Sequence, residues 1–261
     1  MARGSRGYPS FVTFPAVATP RRRLFCVPFA GGGPAVYRLW PRTLPDDIEV
    51  IAVQLPGRSP SSRIPPVDSI DEIVDIVLTD LISMHEANPL PFSVFGHSLG
   101  ALITFELAVA LEGRSTGPAH VFVSGRRHPE ELHRGPQIHT YDDDAFLDEL
   151  DARYGGVPQV VRNEPELLAL FLPALRADIR ALETYAPSNG RMLRSPLHVY
   201  GGAYDTHPRP DQLSEWQRVA ELPISVQLFN GDHFYFTASP GPLTVDIASR
   251  WPDDRGGSSP S

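Results

Sequence analysis

A serine framed by glycines, Gly96-His97-Ser98-Leu99-Gly100, stands between a short apolar run (Pro91-Phe92-Ser93-Val94-Phe95) and a longer one over residues 101–111 that stops at Gly113. A G-x-S-x-G pentapeptide between a strand and a helix forms a tight, strained turn, and its glycines let the two elements pass at close range. Such a turn lifts the Ser98 hydroxyl out of the sheet. It also leaves the backbone N–H of Leu99 at a helix N-terminus, where negative charge is favoured. The pentapeptide therefore predicts a nucleophilic serine on an α/β framework.

The rest of the chain supplies that framework. Apolar runs at 24–29, 48–55, 92–95, 120–123, 197–200 and 224–229 read as strands. Ser69-Ile70-Asp71-Glu72 is a capping-box pattern, and Ile70, Ile73, Val74, Val77 and Leu81 follow it at helical spacing. Alternating strands and helices imply a largely parallel sheet covered on both faces, with sites beyond the carboxyl ends of its strands. Residues 126–187 break the rhythm. They carry helical patterns at 142–153 and 165–185 and no convincing strand, so they read as a helical lid insertion. The domain reading is then a flexible arm at 1–20, a core at 21–125 and 188–252, the lid at 126–187, and a disordered tail at 253–261.

Composition enters through what it excludes. Lys+Arg 23 against Asp+Glu 31 leaves a net charge of −8, which argues against nucleic acid as a partner. The lone cysteine, Cys26, lies in an apolar run, so no intrachain disulfide is possible. Neither a signal peptide nor a stretch of roughly 20 apolar residues is evident, so the expected location is cytoplasmic, away from membranes.

A serine hydroxyl needs a base, and the base needs an orienting carboxylate. On this framework the chain order is serine, acid, histidine. His233 follows the last strand and the turn Asn230-Gly231-Asp232, which is where the base belongs. Of the other histidines, His97 adjoins Ser98 and reads as structural. His85 lies upstream, His120 and His198 open strands, His128, His133 and His139 fall in the lid, and His207 is a weak rival. Asp205 follows a strand ending in Gly201-Gly202 and reads as the acid, ahead of Asp211, which resembles a helix N-cap, and Asp232, too close to His233 in sequence. For the oxyanion hole, the loop Pro28-Phe29-Ala30-Gly31-Gly32-Gly33 offers the N–H of Ala30 to complement that of Leu99. That loop lacks the G-x-G-x-x-G and G-K-[ST] patterns of nucleotide sites. Neither a metal nor an organic cofactor is expected.

Together these segments resemble the type II thioesterases, the stand-alone editing enzymes of polyketide and nonribosomal peptide synthesis. The resemblance runs from about Leu24 to Trp251. It is carried by Val27-Pro28-Phe29-Ala30-Gly31-Gly32, Gln54-Leu55-Pro56-Gly57-Arg58, Phe95 to Ala101, Ser124-Gly125-Arg126-Arg127, Leu175-Arg176-Ala177-Asp178 with Tyr185, Gly201 to Asp205, and Gly231 to Phe236. It implies an α/β-hydrolase fold with a helical lid. It also implies hydrolysis of acyl groups from the phosphopantetheine arm of an acyl or peptidyl carrier protein, the arm belonging to the partner. Phe29 departs from the pattern, since many members carry histidine there. Carrier proteins are usually acidic, as this chain is, so a local basic rim of Arg58, Arg126 and Arg127 is the expected docking element. Nothing in the sequence demands more than a monomer. An acyltransferase or a carboxylesterase would use the same triad, and a silent binding protein is disfavoured because all three positions hold competent residues.

Overall fold

The apolar runs pair into one sheet. In the computed structural model, which describes residues 10–14, 19–58, 65–131, 135–154, 162–187 and 190–251, the strands are β1 (Phe11–Thr13), β2 (Arg22–Val27), β3 (Ile48–Val53), β4 (Phe92–His97), β5 (Val121–Ser124), β6 (Leu197–Gly202) and β7 (Ser225–Phe229). Their order is β1-β3-β2-β4-β5-β6-β7, with β1 antiparallel to β3 and every other pair parallel. The path from β2 goes to β3 on one side and returns to β4 on the other. The loops leaving β2 and β4 are thus neighbours at the point where the order reverses, the usual place for a site in an open α/β sheet. Strand β1 lies within the arm expected at 1–20. Its three residues pair with β3 at Phe11↔Val53, a contact between segments too far apart in sequence for local pattern to reveal.

Side chains alternate across the sheet, and two cores result. Phe25, Val27, Ile51, Val94, Val121 and Val199 face helices α1 (Ile70–Ala87) and α2 (Leu99–Glu112). Leu24, Cys26, Val50, Phe95, Phe122 and Tyr200 face Trp40 and helix α5 (Gly241–Arg250). The Ser69 hydroxyl caps α1 by accepting the Glu72 N–H, as the capping-box pattern predicts. The α2 helix is buried almost all round, so its serine-bearing N-terminus is held by packing on every side.

Between β5 and β6, the described residues form α3 (Asp143–Tyr154), α4 (Pro165–Thr184) and no strand belonging to the sheet. Ile138, Phe146, Leu147, Leu150, Leu172, Leu175 and Ile179 give them a small core of their own. Arg176 binds Asp143 and the carbonyls of His139 and Tyr141 while lying over the Phe146 ring at 4.3 Å, so α3 and α4 are tied together. His133 and the tail at 253–261 lie outside the described residues.

A half-buried histidine on β6 contributes pH sensitivity to the fold. His198 on β6 sits 3.0 Å from the His120 ring and 2.8 Å from Ser225 Oγ. Burial, then His120 and Arg250, lower its pKa from 6.5 to about 4. The unfolded chain takes up that proton near 6.5 and the folded chain only near 4, so stability falls as pH drops through this window. Melting temperature is expected to decline between pH 7 and pH 5, with a shallower decline for His198→Gln. Superimposable pH slopes for the two proteins would contradict this assignment.

Candidate active site

Ser98 has φ 54° and ψ −112°, a strained conformation for a non-glycine residue. Its N–H donates to the Ser124 carbonyl at 2.8 Å, fixing the turn against β5. The flanking glycines are obligatory for a steric reason. A Cβ on Gly96 would lie 2.0 Å from the Gly100 carbonyl oxygen, and one on Gly100 would lie 2.2 Å from that of Val27. Both obstacles are backbone. Gly96→Ala is therefore expected to cost at least the roughly 1–3 kcal/mol of ordinary overpacking, read as a lowered denaturation midpoint. A wild-type midpoint would refute the close approach.

Asp205 and His233 are brought together from loops after β6 and β7. His233 Nδ1 lies 2.7 Å from Asp205 Oδ2, and both residues are 6% exposed. The second carboxylate oxygen accepts the His207 N–H at 2.8 Å. With its Nδ1–H donated to a buried carboxylate, the His233 ring keeps Nε2 free to accept a proton. The rivals are placed elsewhere. Asp211 does not cap a helix. Pro210 opens a 3₁₀ helix (Pro210–Val219) one residue earlier, and the Asp211 carboxylate instead pairs with Arg209 at 3.1 Å. Asp232 accepts the N–H of Phe234.

The loop after β2 carries Ala30, which lines one cavity together with Ser98 and His233. The Gly31 N–H donates to Asp178 Oδ2 on α4 at 2.7 Å. Arg58 completes a clamp, with Nε donating to the Gly32 carbonyl at 2.9 Å and its guanidinium paired with Asp178. Burial pushes the Asp178 carboxyl up, and Arg58 and the Gly31 N–H draw it back. This removes Arg58 from the basic rim expected from the sequence. Arg58 is buried in the clamp, Arg127 is paired with Glu131, and Arg126 turns inward to line a cavity.

A second network escapes sequence reading. His97, fully buried, lies 2.9 Å from Ser124 Oγ, which lies 2.8 Å from the Tyr235 hydroxyl. The His97 ring packs on that of His233 with centroids 4.8 Å apart. Burial first, then the His233 charge, hold the His97 imidazole well below its ordinary pKa. It is thus a neutral wall behind His233, and it adds no second positive charge when His233 is protonated. A Cβ on Gly125 would come within 2.3 Å of this ring, which accounts for glycine there. Phe29 packs on Phe234 at 4.9 Å and on His97 at 5.9 Å, so the residue that departs from the family pattern closes an aromatic cluster beside His233.

Two cavities meet at Ser98. The larger, about 560 Å³, runs between the β2 loop and the lid and is walled by Leu150, Phe171, Leu175, Ile179 and Leu182. The smaller, about 410 Å³, is walled by Arg126, Arg127, Arg153, Tyr154, Glu131 and Glu183. Among the described residues, the His128, Glu131 and Glu215 side chains could bring ligand atoms within 4.8 Å of one another. The Arg127 guanidinium already pairs with Glu131, and a cation there opposes a divalent ion. No described helix is long and apolar enough to cross a membrane.

The sheet order, the serine elbow after β4 and the lid before β6 define an α/β-hydrolase fold. A thioesterase domain model matches residues 22–250, and the chain belongs to that family, whose reaction class is thioester hydrolysis. The chain is 34% identical to the gramicidin S biosynthesis protein GrsT of Aneurinibacillus migulanus over 88% of each chain. It is also 34% identical to the thioesterase PikA5 of Streptomyces venezuelae, over 87% of this chain and 79% of that one. Among solved structures it is similar to the type II thioesterase BorB of the borrelidin cluster (29% identity, TM-score 0.78, covering 92% of this chain and 94% of that one). It is likewise similar to RedJ, the thioesterase of prodiginine biosynthesis in Streptomyces coelicolor (30%, TM-score 0.78, 88% and 85%).

Proposed function

We propose that the protein hydrolyses acyl thioesters carried on the phosphopantetheine arm of acyl or peptidyl carrier proteins, clearing aberrant acyl groups from polyketide or nonribosomal peptide synthases. The observation that carries this reading is the buried His233–Asp205 hydrogen bond, set at a cavity that also contains Ser98. His233 Nε2 takes the Ser98 proton as the serine oxygen bonds to the thioester carbon. The N–H groups of Ala30 and Leu99 hold the resulting oxyanion, each worth on the order of 3 kcal/mol. The C–S bond breaks, the carrier thiol leaves with the proton from His233, and an acyl-serine remains. Water, deprotonated by the same histidine, then releases the free acid and restores Ser98. Asp205 orients the ring and stabilises the imidazolium formed in each half. The steps need no metal or organic cofactor.

The apolar cavity under α4 is the natural place for the acyl chain. The relatives named for antibiotic pathways support the carrier-bound substrate. We place the enzyme in the cytoplasm, acting as a monomer. Matched acyl thioesters and oxygen esters test the reaction class. Thioesters are expected to be turned over faster relative to their uncatalysed rates. A preference for the oxygen ester would indicate a carboxylesterase, and product formed only on adding an amine or alcohol would indicate an acyltransferase.

A further inference from the structure

The smaller cavity beside Ser98 is lined by a cation that forms no ion pair among the described residues. Three arginines line it. Arg127 is paired with Glu131, and Arg153 with Glu149 at 3.2 Å. Arg126 differs from both. Its Nε is buried with no hydrogen-bond partner, and among the described residues no carboxylate forms an ion pair with its guanidinium. Its position is not accidental slack in a loop. The Arg126 carbonyl accepts the Trp216 indole N–H at 2.7 Å, Trp216 is fully buried, and the preceding Gly125 holds φ 59° against the His97 ring. The backbone is therefore fixed where the side chain enters the cavity.

Taking a guanidinium nitrogen out of water without a partner is costly, and folded proteins normally pair such a group or hold it for a ligand. Burial lowers the Arg126 pKa, and the neighbouring Arg127 lowers it further. Glu131, already engaged by Arg127, supplies an offsetting influence. A planar fork of donors facing a cavity is suited to a carboxylate or a phosphate, both of which it can bind through two oxygens.

We infer that Arg126 is an anion-recognition residue of the substrate cavity, and that it binds a negatively charged oxygen group of the acyl-pantetheine substrate. Two parts of that substrate carry such a group: a carboxylate on the acyl chain, and the phosphate of the pantetheine arm. The inference rests on the reading of Ser98 as the nucleophile that accepts acyl-pantetheine. It goes beyond that reading in assigning Arg126 a ligand and the smaller cavity a polar occupant, opposite the apolar one.

The test uses the full-length protein and four substrates. These are the malonyl thioesters of pantetheine and of 4′-phosphopantetheine, and the isovaleryl thioesters of the same two arms, isovaleryl matching malonyl in shape without its charge. For Arg126→Gln, the kcat/KM ratio of anionic to neutral substrate is expected to fall about ten- to hundredfold, the size of a lost charge-assisted hydrogen bond. A fall confined to the malonyl–isovaleryl comparison assigns the acyl carboxylate; one confined to the phosphorylated–unphosphorylated comparison assigns the arm. Arg126→Lys, which keeps the charge but not the fork, is expected to recover part of the ratio and controls for misfolding. Equal losses on all four substrates, or no change in either ratio, would overturn the inference.

A binding measurement separates this inference from the proposed function. Calorimetric titration of Ser98→Ala with malonate and with 4′-phosphopantetheine is expected to show binding of at least one, lost on adding Arg126→Gln. If wild-type protein hydrolyses none of the four thioesters while this binding is seen and lost, the functional reading fails and the anion site stands. If Arg126→Gln leaves the binding unchanged, or neither ligand binds, the site is rejected.

Discussion

Ser98→Ala is expected to lower thioester turnover by about 10⁶-fold, the size of the loss when the nucleophile of a serine triad is removed. The size follows from the proposed chemistry. Without the hydroxyl no acyl-serine can form, and the residual rate is what the oxyanion donors achieve with water alone. The fold should be nearly indifferent. Ser98 sits at the end of β4, its N–H bond to the Ser124 carbonyl is a backbone bond, and its side chain caps nothing in α2. A stability change within about 1 kcal/mol is expected. Steady-state kinetics together with a melting curve separate the two effects. Loss of turnover with an unfolded protein would say nothing of chemistry, and near-normal turnover in a folded variant would remove Ser98 from the mechanism.

The second large effect concerns stability. Asp178→Ala deletes the acceptor of the Gly31 N–H and strands the Arg58 guanidinium, whose side chain is 8% exposed. Breaking a buried ion pair from one side costs about 3–5 kcal/mol, because the remaining charge loses its counter-ion where little water can reach it and keeps only backbone carbonyl acceptors. For a chain of this size that corresponds to a fall in melting temperature of about 6–20 °C. Hydrolysis at temperatures where the variant is still folded should persist at a reduced rate, since Asp178 bonds to none of Ser98, Asp205 and His233 among the described residues but holds the Gly31 N–H beside the proposed oxyanion donor Ala30. Arg58→Met in the same background should recover part of the loss by removing the orphaned charge. A single Asp178→Ala variant melting within 2 °C of wild type would show that the clamp contributes little.

The clamp also illustrates what the sequence could not disclose. Arg58 and Asp178 lie 120 positions apart, and each in isolation reads as an ordinary surface residue. Hence Arg58 was expected on a docking rim, and it is buried instead. The His97–Ser124–Tyr235 chain is hidden for a related reason. It depends on the register that sets His97 beside Ser124 across β4 and β5, and on Tyr235 returning to the sheet after β7. Asp211 failed as an N-cap because Pro210 starts its helix a residue sooner.

What was legible had local signatures. The elbow is written in five consecutive residues whose glycines satisfy a steric demand, and the structure shows the two backbone carbonyls that impose it. Asp205 and His233 could be singled out because each follows a strand and a glycine turn, so chain topology alone carries them to one end of the sheet. The lid helices stood out through helical periodicity in a segment without strand signals. Their contacts with the β2 loop join segments more than a hundred residues apart, which local pattern does not record.

The central claim is that acyl groups leave their carrier by way of Ser98. Intact-protein mass spectrometry of the enzyme, quenched in acid milliseconds to seconds after mixing with an acyl-loaded carrier protein, tests it most directly. The account predicts a transient adduct of one acyl mass, mapping to the Ser98 peptide, absent from Ser98→Ala, and decaying as free acid appears. Free acid released at the wild-type rate by Ser98→Ala, or an adduct mapping to any other residue, would contradict it.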